Sequence, residues 1–443
     1  MNRKKIVVKT TEYIFCTITA IQVIFGLMWA FCQFPHMQNW QETYEYLDIS
    51  TTFVMDEYVS FLYPVLLKLC TGIESLAGIP FYMPVYVIQS AAGILSAWLF
   101  VRIVLKMEKS KAVWAVGYLT SFPLLLQFHM SVRTESLEVS GILLLLTFFE
   151  TSPIGAAVTT LLLIWLNPDM ALICVAAWIV FLLQRFIEAR RNKKETGVWN
   201  IKPLLTKCIV FLLALVIGVS VNGLVQTPGS RGRIQKTFWA AAFQRVVTDY
   251  FSRSYVMWDD EVRTTYTIEE AMEMANRSDN MMYEVGPALE TDWGKERANE
   301  MYRQMTTDCF RVRTKDVVYQ IRDDLVDSVL MPFSVLWQDN GERMSQTGWN
   351  YGELRRHSPK MSVYFLNFSV YALILLIISG LIRCIINRNI VSHMVSHSMY
   401  VWIIALVQCF RSVLSTANRV NYSLLVLMIF CWCYMAVPKS TDK

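Results

Sequence analysis

Ten apolar runs divide this chain, near residues 13–34, 81–105, 112–128, 137–149, 154–166, 170–186, 208–225, 363–386, 399–414 and 422–437. A helix needs roughly 17 to 25 predominantly apolar residues to cross the hydrocarbon core of a bilayer, and most of these runs meet that length. The fourth and fifth are short, and read either as spans or as tilted, partly buried helices joined by the tight turn Glu150-Thr-Ser-Pro153. With 54% hydrophobic and 17% charged residues, the composition sets aside a water-soluble globular fold in favour of a polytopic membrane protein. The first run has no small-residue cleavage site, so it reads as a retained span.

Lys and Arg fix the orientation, because short loops rich in them stay on the cytoplasmic side. Arg3, Lys4, Lys5 and Lys9 precede the first run. Arg102, Lys106, Lys109 and Lys111 follow the second, and Arg185, Arg190, Arg191, Lys193, Lys194, Lys202 and Lys207 lie between the sixth and seventh. Placing all of these inside puts the N-terminus inside, and an even number of spans returns Lys439 and Lys443 to the same side. Three regions follow: a membrane module over 1–225 with a first outer loop at 35–80, an extracytoplasmic segment over 226–362, and C-terminal membrane helices over 363–443. Cysteines such as Cys16, Cys174, Cys384, Cys431 and Cys433 lie in or beside apolar runs without metal-type spacing, and read as small core side chains.

In the outer segment acids and bases nearly balance, which excludes a polybasic nucleic-acid surface. Phe238, Phe243, Val246, Val247 and Tyr250 recur at helical spacing, and Thr267-Ile-Glu-Glu270 reads as a capping box. Thr314 is placed to cap a third helix, with Val317, Val318, Ile321, Leu325, Val326 and Val329 as its apolar stripe. Such a helix either lies in the membrane interface or packs on its own subdomain. No strand-like alternation occurs, so the segment reads as mostly helical.

Chemistry gathers in the first outer loop. Residues 38–66 carry Glu42, Glu45, Asp48, Asp56 and Glu57, interleaved with Tyr44, Tyr46, Tyr58 and Tyr63. Acids beside a membrane are often merely solvated. Transfer of a sugar to a hydroxyl, however, needs a base for the hydroxyl proton and cations for a leaving phosphate. A carboxylate serves the first purpose and Arg or Lys the second. A lipid-borne donor presents its phosphate at the depth where these acids lie.

The stretch Trp40-Gln-Glu-Thr-Tyr-Glu-Tyr-Leu-Asp-Ile-Ser50 resembles the first outer loop of the GT-C membrane glycosyltransferases, which use polyprenyl-phosphate sugars and include protein O-mannosyltransferases and aminoarabinose transferases. In that resemblance Glu42 stands at the catalytic Asp and Tyr46 at the family's aromatic position. Leu62-Tyr-Pro-Val-Leu66 is similar to the short Pro motif before the second span, and Gln89 fits early in that span. Arg133-Thr-Glu135, Asn167-Pro-Asp169 and Asn418-Arg-Val-Asn-Tyr422 are similar to later family positions, in the expected order. Two departures stand out. The family's Asp-Glu doublet is absent at Glu42 and occurs at Asp56-Glu57, so the base is Glu42 or, alternatively, Asp56 with Glu42 positioning the acceptor. Asn167 replaces the Arg of many relatives.

The resemblance implies an all-α polytopic fold of GT-C type, with about ten transmembrane helices and a mostly helical extracytoplasmic segment. It implies an inverting transfer at the outer face from a polyprenyl-phosphate-linked sugar to a glycan, lipid or protein acceptor. Membrane lipid is the surrounding partner and nucleic acid is not a partner. Arg231 and Arg233, in a glycine-containing stretch that permits close backbone approach, join Arg133 and Arg419 as candidates for the phosphate. Each reads equally as a snorkelling interfacial Arg. Glu57 and Glu135 are further substrate-binding candidates. Asp169 is one too if it is submerged; at a helix start it instead favours the dipole.

His393 and His397 are spaced four apart but lack a nearby third ligand, and Asn276-Arg-Ser278 matches a glycosylation acceptor that is common by chance. No Walker, Rossmann or Asp-x-Asp signature is present, which favours a lipid-linked donor over a nucleotide sugar. No cofactor is implied, and a divalent cation remains open. A polysaccharide polymerase or ligase is the enzymatic alternative, and a transporter or lipid flippase the non-enzymatic one. Nearly charge-free spans count against the last.

Overall fold

The computed structural model describes residues 3–33, 41–55, 58–196, 202–225, 234–246, 285–330, 359–414 and 422–437. Among them every regular element is a helix. In order these are α1 (Arg3–Gln33), α2 (Gln41–Thr52), α3 (Leu62–Ala77), α4 (Tyr82–Leu99, prolonged by a π-turn at Phe100–Val104), α5 (Lys109–Thr120), α6 (Pro123–His129), α7 (Glu135–Thr151), α8 (Pro153–Leu166), α9 (Met170–Thr196) and α10 (Lys202–Val225). Next come α11 (Phe238–Val246), α12 (Gly286–Trp293), α13 (Lys295–Leu330), α14 (Pro359–Ile386), α15 (Arg388–Ser396), α16 (Ser398–Leu414) and α17 (Tyr422–Ala436).

Five segments are long and apolar enough to cross a membrane: Val7–Ala30, Tyr82–Val104, Met170–Arg191, Leu204–Val225 and Tyr364–Ile386. A sixth is obtained if α15 and α16, which meet at a 54° bend, are one broken span. The four remaining apolar runs form shorter helices. The run at 112–128 is divided at Ser121–Phe122, where Pro123 opens α6 as its first residue; the ring lacks the N–H that would continue the α5 ladder. The paired short runs become α7 and α8, reversed at Ser152. Its side chain accepts a hydrogen bond from the Gly155 N–H, and Pro153 takes the first helical position.

Packing follows the apolar faces. Phe149 of α7 stacks on Phe181 of α9 at 4.5 Å between ring centroids, and Trp178 stacks on Phe211 of α10 at 4.7 Å. The Trp178 indole N–H donates to Thr160 Oγ1 of α8, so the polar edge of a buried aromatic is satisfied inside the bundle. On the far side of α10, Leu205, Ile209, Leu212, Leu213, Val216 and Val219 are exposed. A continuous apolar face of this kind is at home against lipid rather than water.

The segment between α10 and α14 builds its own small core, in which Phe243 of α11 packs on Tyr302 of α13 at 4.7 Å, with Ile234, Leu289 and Met305 around them. The expected cap at Thr314 is not formed. Helix α13 runs through that position without a break, and the Thr314 hydroxyl donates to the carbonyl of Phe310 one turn back, the mid-helix use of a Thr side chain. In the expected stripe Val317 is buried and Val318 exposed. The side chains of Ile321, Leu325, Val326 and Val329, like Val247, Tyr250, residues 267–270 and 276–278, lie outside the described residues.

The bundle has two polar ends. Glu138 and Glu150 sit on one helix, α7, separated by about 18 Å at the usual rise of 1.5 Å per residue. Around Glu138 are Asn167 and Tyr422; around Glu150 are Arg185 and Tyr400. On α17, Tyr422 marks the first end, and Met435 at the other end meets Lys111 of α5 and Arg383 of α14. The basic positions Lys111 and Arg185 thus share one end, and the stretch from α2 to α3 lies at the other.

Candidate functional site

The site grows from the short irregular stretch between α6 and α7. There the Arg133 guanidinium forks onto Glu135, with Nε 3.0 Å from Oε2 and Nη2 against Oε1, and both side chains are buried. Planar two-point pairing of this kind fixes orientation as well as charge. Three residues on, Glu138 is fully buried. Its carboxyl accepts from Thr134 Oγ1 at 2.9 Å, Asn167 Nδ2 at 2.7 Å and Tyr422 Oη at 3.3 Å. One carboxyl group therefore ties together the start of α7, the end of α8 and the start of α17. Gln408 of α16 adds to the junction by accepting the Tyr422 backbone N–H.

The stretch from α2 to α3 is bonded to the same place. Thr43 of α2 donates to the carbonyl of Val132, next to Arg133. Gln89 of α4 donates through Nε2 both to the Arg133 carbonyl at 2.6 Å and to the Tyr63 hydroxyl at 3.1 Å. Tyr46 of α2 meets the Tyr63 ring edge-on at 5.0 Å. Burial, and then the neighbouring Tyr46, push the Tyr63 phenol well above its ordinary range, so it stays neutral and acts as a hydrogen-bonding group. Just beneath, the His129 ring lies on Gly93 so closely that a Cβ there would fall 2.5 Å from Cε1; only glycine permits the approach. His129 Nδ1 is 2.7 Å from Ser136 Oγ, and burial holds the imidazole down to about 4.

A second group joins the segment between α10 and α14 to this frame. Asp169, in the turn that opens α9, is 2.6 Å from Lys236 Nζ, and that ammonium also lies 5.3 Å from the centre of the Tyr58 ring. The Tyr58 hydroxyl donates to the Ile234 carbonyl, and Ser60 donates to Asn222 Oδ1 of α10. Asp169 is thus a partly exposed helix-start acid with a cation partner, rather than a submerged charge.

No family model matches the chain, and neither a curated protein nor a solved structure does so.

Of the residues singled out in the sequence, Tyr46, Arg133, Glu135 and Asp169 lie in this region, along with Gln89, Asn167 and Tyr422 from the quoted motifs. Glu42 lies in the backbone of α2, one residue before Thr43; its side chain is outside the described residues, as are Asp56, Glu57, Arg231, Arg233 and Arg419. Three contributors were not anticipated. Glu138 carried a visible signal, being an acid inside an apolar run. Lys236 follows Arg233 by three residues and was the next cation along. The His129–Ser136 pair had none, since both are ordinary residues at the edge of an apolar stretch. Among the described residues no group of three His, Cys, Asp or Glu side chains is disposed to hold a metal; His397 places its Nε2 3.1 Å from the Val104 carbonyl.

Proposed function

We propose that the chain is an integral membrane glycosyltransferase of GT-C type, with about ten transmembrane segments, that moves a sugar from a polyprenyl-phosphate donor to an acceptor hydroxyl at the outer face of the membrane. One observation carries the reading. The stretches quoted for the resemblance are scattered from Thr43 to Tyr422, yet they are joined in one bonded network at the end of the bundle opposite Lys111 and Arg185. Residues that only cap their own helices have no reason to converge in this way.

In the proposed reaction a carboxylate, Glu42 or alternatively Asp56, takes the proton of the acceptor hydroxyl. The oxygen bonds to the anomeric carbon, the bond to the phosphate oxygen breaks, and the configuration inverts. Arg231, Arg233 and Arg419 stabilise the departing phosphate, in a partly dehydrated site where such contacts are strong. Arg133, turned onto Glu135, holds the frame from which α2 is suspended through Thr43, and a divalent cation at the phosphate is compatible with this division of labour. Tyr46 and Glu57 contribute to binding the acceptor.

The test is transfer by the purified full chain from a panel of polyprenyl-phosphate sugars, comparing wild type with Glu42→Gln and Asp56→Asn. Loss of the general base should lower turnover by about 10²- to 10⁴-fold, with unfolding temperature unchanged. Full activity in both variants refutes the assignment of the base. No transfer by the wild type from any donor, together with substrate accumulation in sealed vesicles, establishes the transporter reading, which the 54° break between α15 and α16 favours.

A further inference from the structure

At the end of the bundle opposite the candidate active site, two cations share one acid. Arg383, near the end of α14, is 2% exposed. Its Nη2 is 3.7 Å from Glu12 Oε1 of α1, its Nη1 reaches only the Met435 thioether at 3.5 Å, and its Nε has no hydrogen-bond partner among the described residues. Lys111 of α5, also buried, is 3.1 Å from the same Glu12 oxygen and 3.5 Å from the Met435 carbonyl. The Glu12 contact is an ion pair rather than an aligned hydrogen bond, since that oxygen has no partner in hydrogen-bonding geometry. Glu108, 3.8 Å from Lys111, is more than half exposed and contributes little.

The local sum is a buried positive charge with guanidinium donors left over. A buried charge without compensation is strongly unfavourable, and five fixed N–H donors ask for a planar or tetrahedral oxyanion. We infer that Arg383 and Lys111 form a binding site for a phosphate group, entered past Glu12, whose carboxylate occupies the site when the anion is absent. Two features of the geometry support this assignment. Glu12 lies nearer the surface than either cation, at 18% side-chain exposure against 10% for Lys111 and 3% for Arg383, so it can turn outward and admit an anion. The site also lies just inside the start of the Val7–Ala30 stretch of α1 and the end of the Tyr364–Ile386 stretch of α14, within reach of the depth at which lipid headgroups present their phosphates. Tyr434, whose ring centre lies 5.8 Å from the guanidinium carbon, and Ser379, 3.2 Å from the Tyr434 hydroxyl, wall the cation on the bundle side. The site is independent of the proposed transfer reaction.

The full chain, delipidated in a neutral detergent, is titrated separately with inorganic phosphate and with phosphatidylglycerol in mixed micelles, reading the rise in unfolding temperature. A response to phosphatidylglycerol alone identifies a lipid headgroup as the source, and a response to inorganic phosphate identifies the free ion; either supports the site. Arg383→Gln should weaken binding by about tenfold or more, the usual share of a charge-assisted contact. Glu12→Gln should tighten it, because the competing carboxylate is gone. No response to either ligand, or equal binding by wild type and Arg383→Gln, overturns the inference. If Arg383→Gln does not fold, Glu12→Gln decides: tighter binding upholds the site, and unchanged or weaker binding rejects it.

Discussion

Glu138 and Arg383 are both buried charges at helix ends, and the bundle accommodates them in opposite ways. Glu138 accepts from donors on three elements, each within hydrogen-bonding distance. Arg383 is surrounded by a thioether, an aromatic ring and a shared carboxylate, and keeps a donor unused. In the first arrangement the described polar groups answer one another, so it holds geometry. The second is open, because its charge exceeds what surrounds it. A closed network suits the frame of an active site, which must keep distant segments in register. An open one suits exchange with an ion from outside.

The largest expected effect comes from breaking the closed end. Glu138→Ala removes the acceptor used by Thr134, Asn167 and Tyr422, leaving buried donors that cost about 1–3 kcal/mol each. Allowing for partial relaxation, the loss should be about 3 kcal/mol or more, read as a fall in unfolding temperature in detergent. Glu138→Gln keeps one carbonyl acceptor and should lose less. If Glu138→Ala unfolds at the wild-type temperature, the junction of α7, α8 and α17 is not held by this carboxyl group.

The next effect is a pH dependence seated just below that junction. His129 titrates at about 4 in the folded chain because it is buried, against an ordinary value of 6.5. The unfolded chain therefore takes up a proton first as pH falls, and stability declines from about pH 6.5 toward pH 4. Above pH 6.5 both states are neutral at this residue and the contribution is flat. His129→Gln should remove that part of the slope while Ser136 keeps a side-chain partner. An unchanged slope between pH 6.5 and 4 in the variant assigns the acid sensitivity to other groups.

How far the sequence disclosed this arrangement depended on the kind of signal each residue carries. The α7–α8 reversal was readable because Ser152 and Pro153 act locally, through a cap and a fixed φ. The break before Pro123 was not, since hydropathy runs straight across it and only the backbone ladder registers the missing N–H. Thr314 misled for a related reason: a Thr hydroxyl satisfies a carbonyl inside a helix as readily as an N–H at its start. Arg133, Glu135 and Asn167 are singled out by resemblance to a motif order, whereas Glu138 shows in the sequence only as an acid inside an apolar run, two of its partners lying 29 and 284 residues away. Charge counts placed Lys111 and Arg185 at one end, but no count of charges in loops reveals that Arg383 and Lys111 share a single acid.

The smallest expected effect belongs to the other polar contact of α7. Glu150 is 2.6 Å from Arg185 Nη2 and accepts from the Tyr400 hydroxyl at 2.7 Å, while Arg185 also reaches Glu188 at 2.7 Å. The chemistry matches that of Arg133 and Glu135, but the side chains of Arg185 and Glu150 are about 30% exposed, at 28% and 31%. Water therefore already solvates both partners, and salt screens what remains. Arg185→Gln should cost less than about 1 kcal/mol, a loss that shrinks further as ionic strength is raised, and transfer in the purified assay should be unaffected. A salt-independent loss as large as that of Glu138→Ala would mean that burial does not distinguish the two ends of α7, and the contrast between closed frame and solvated rim would then fail at the helix that joins them.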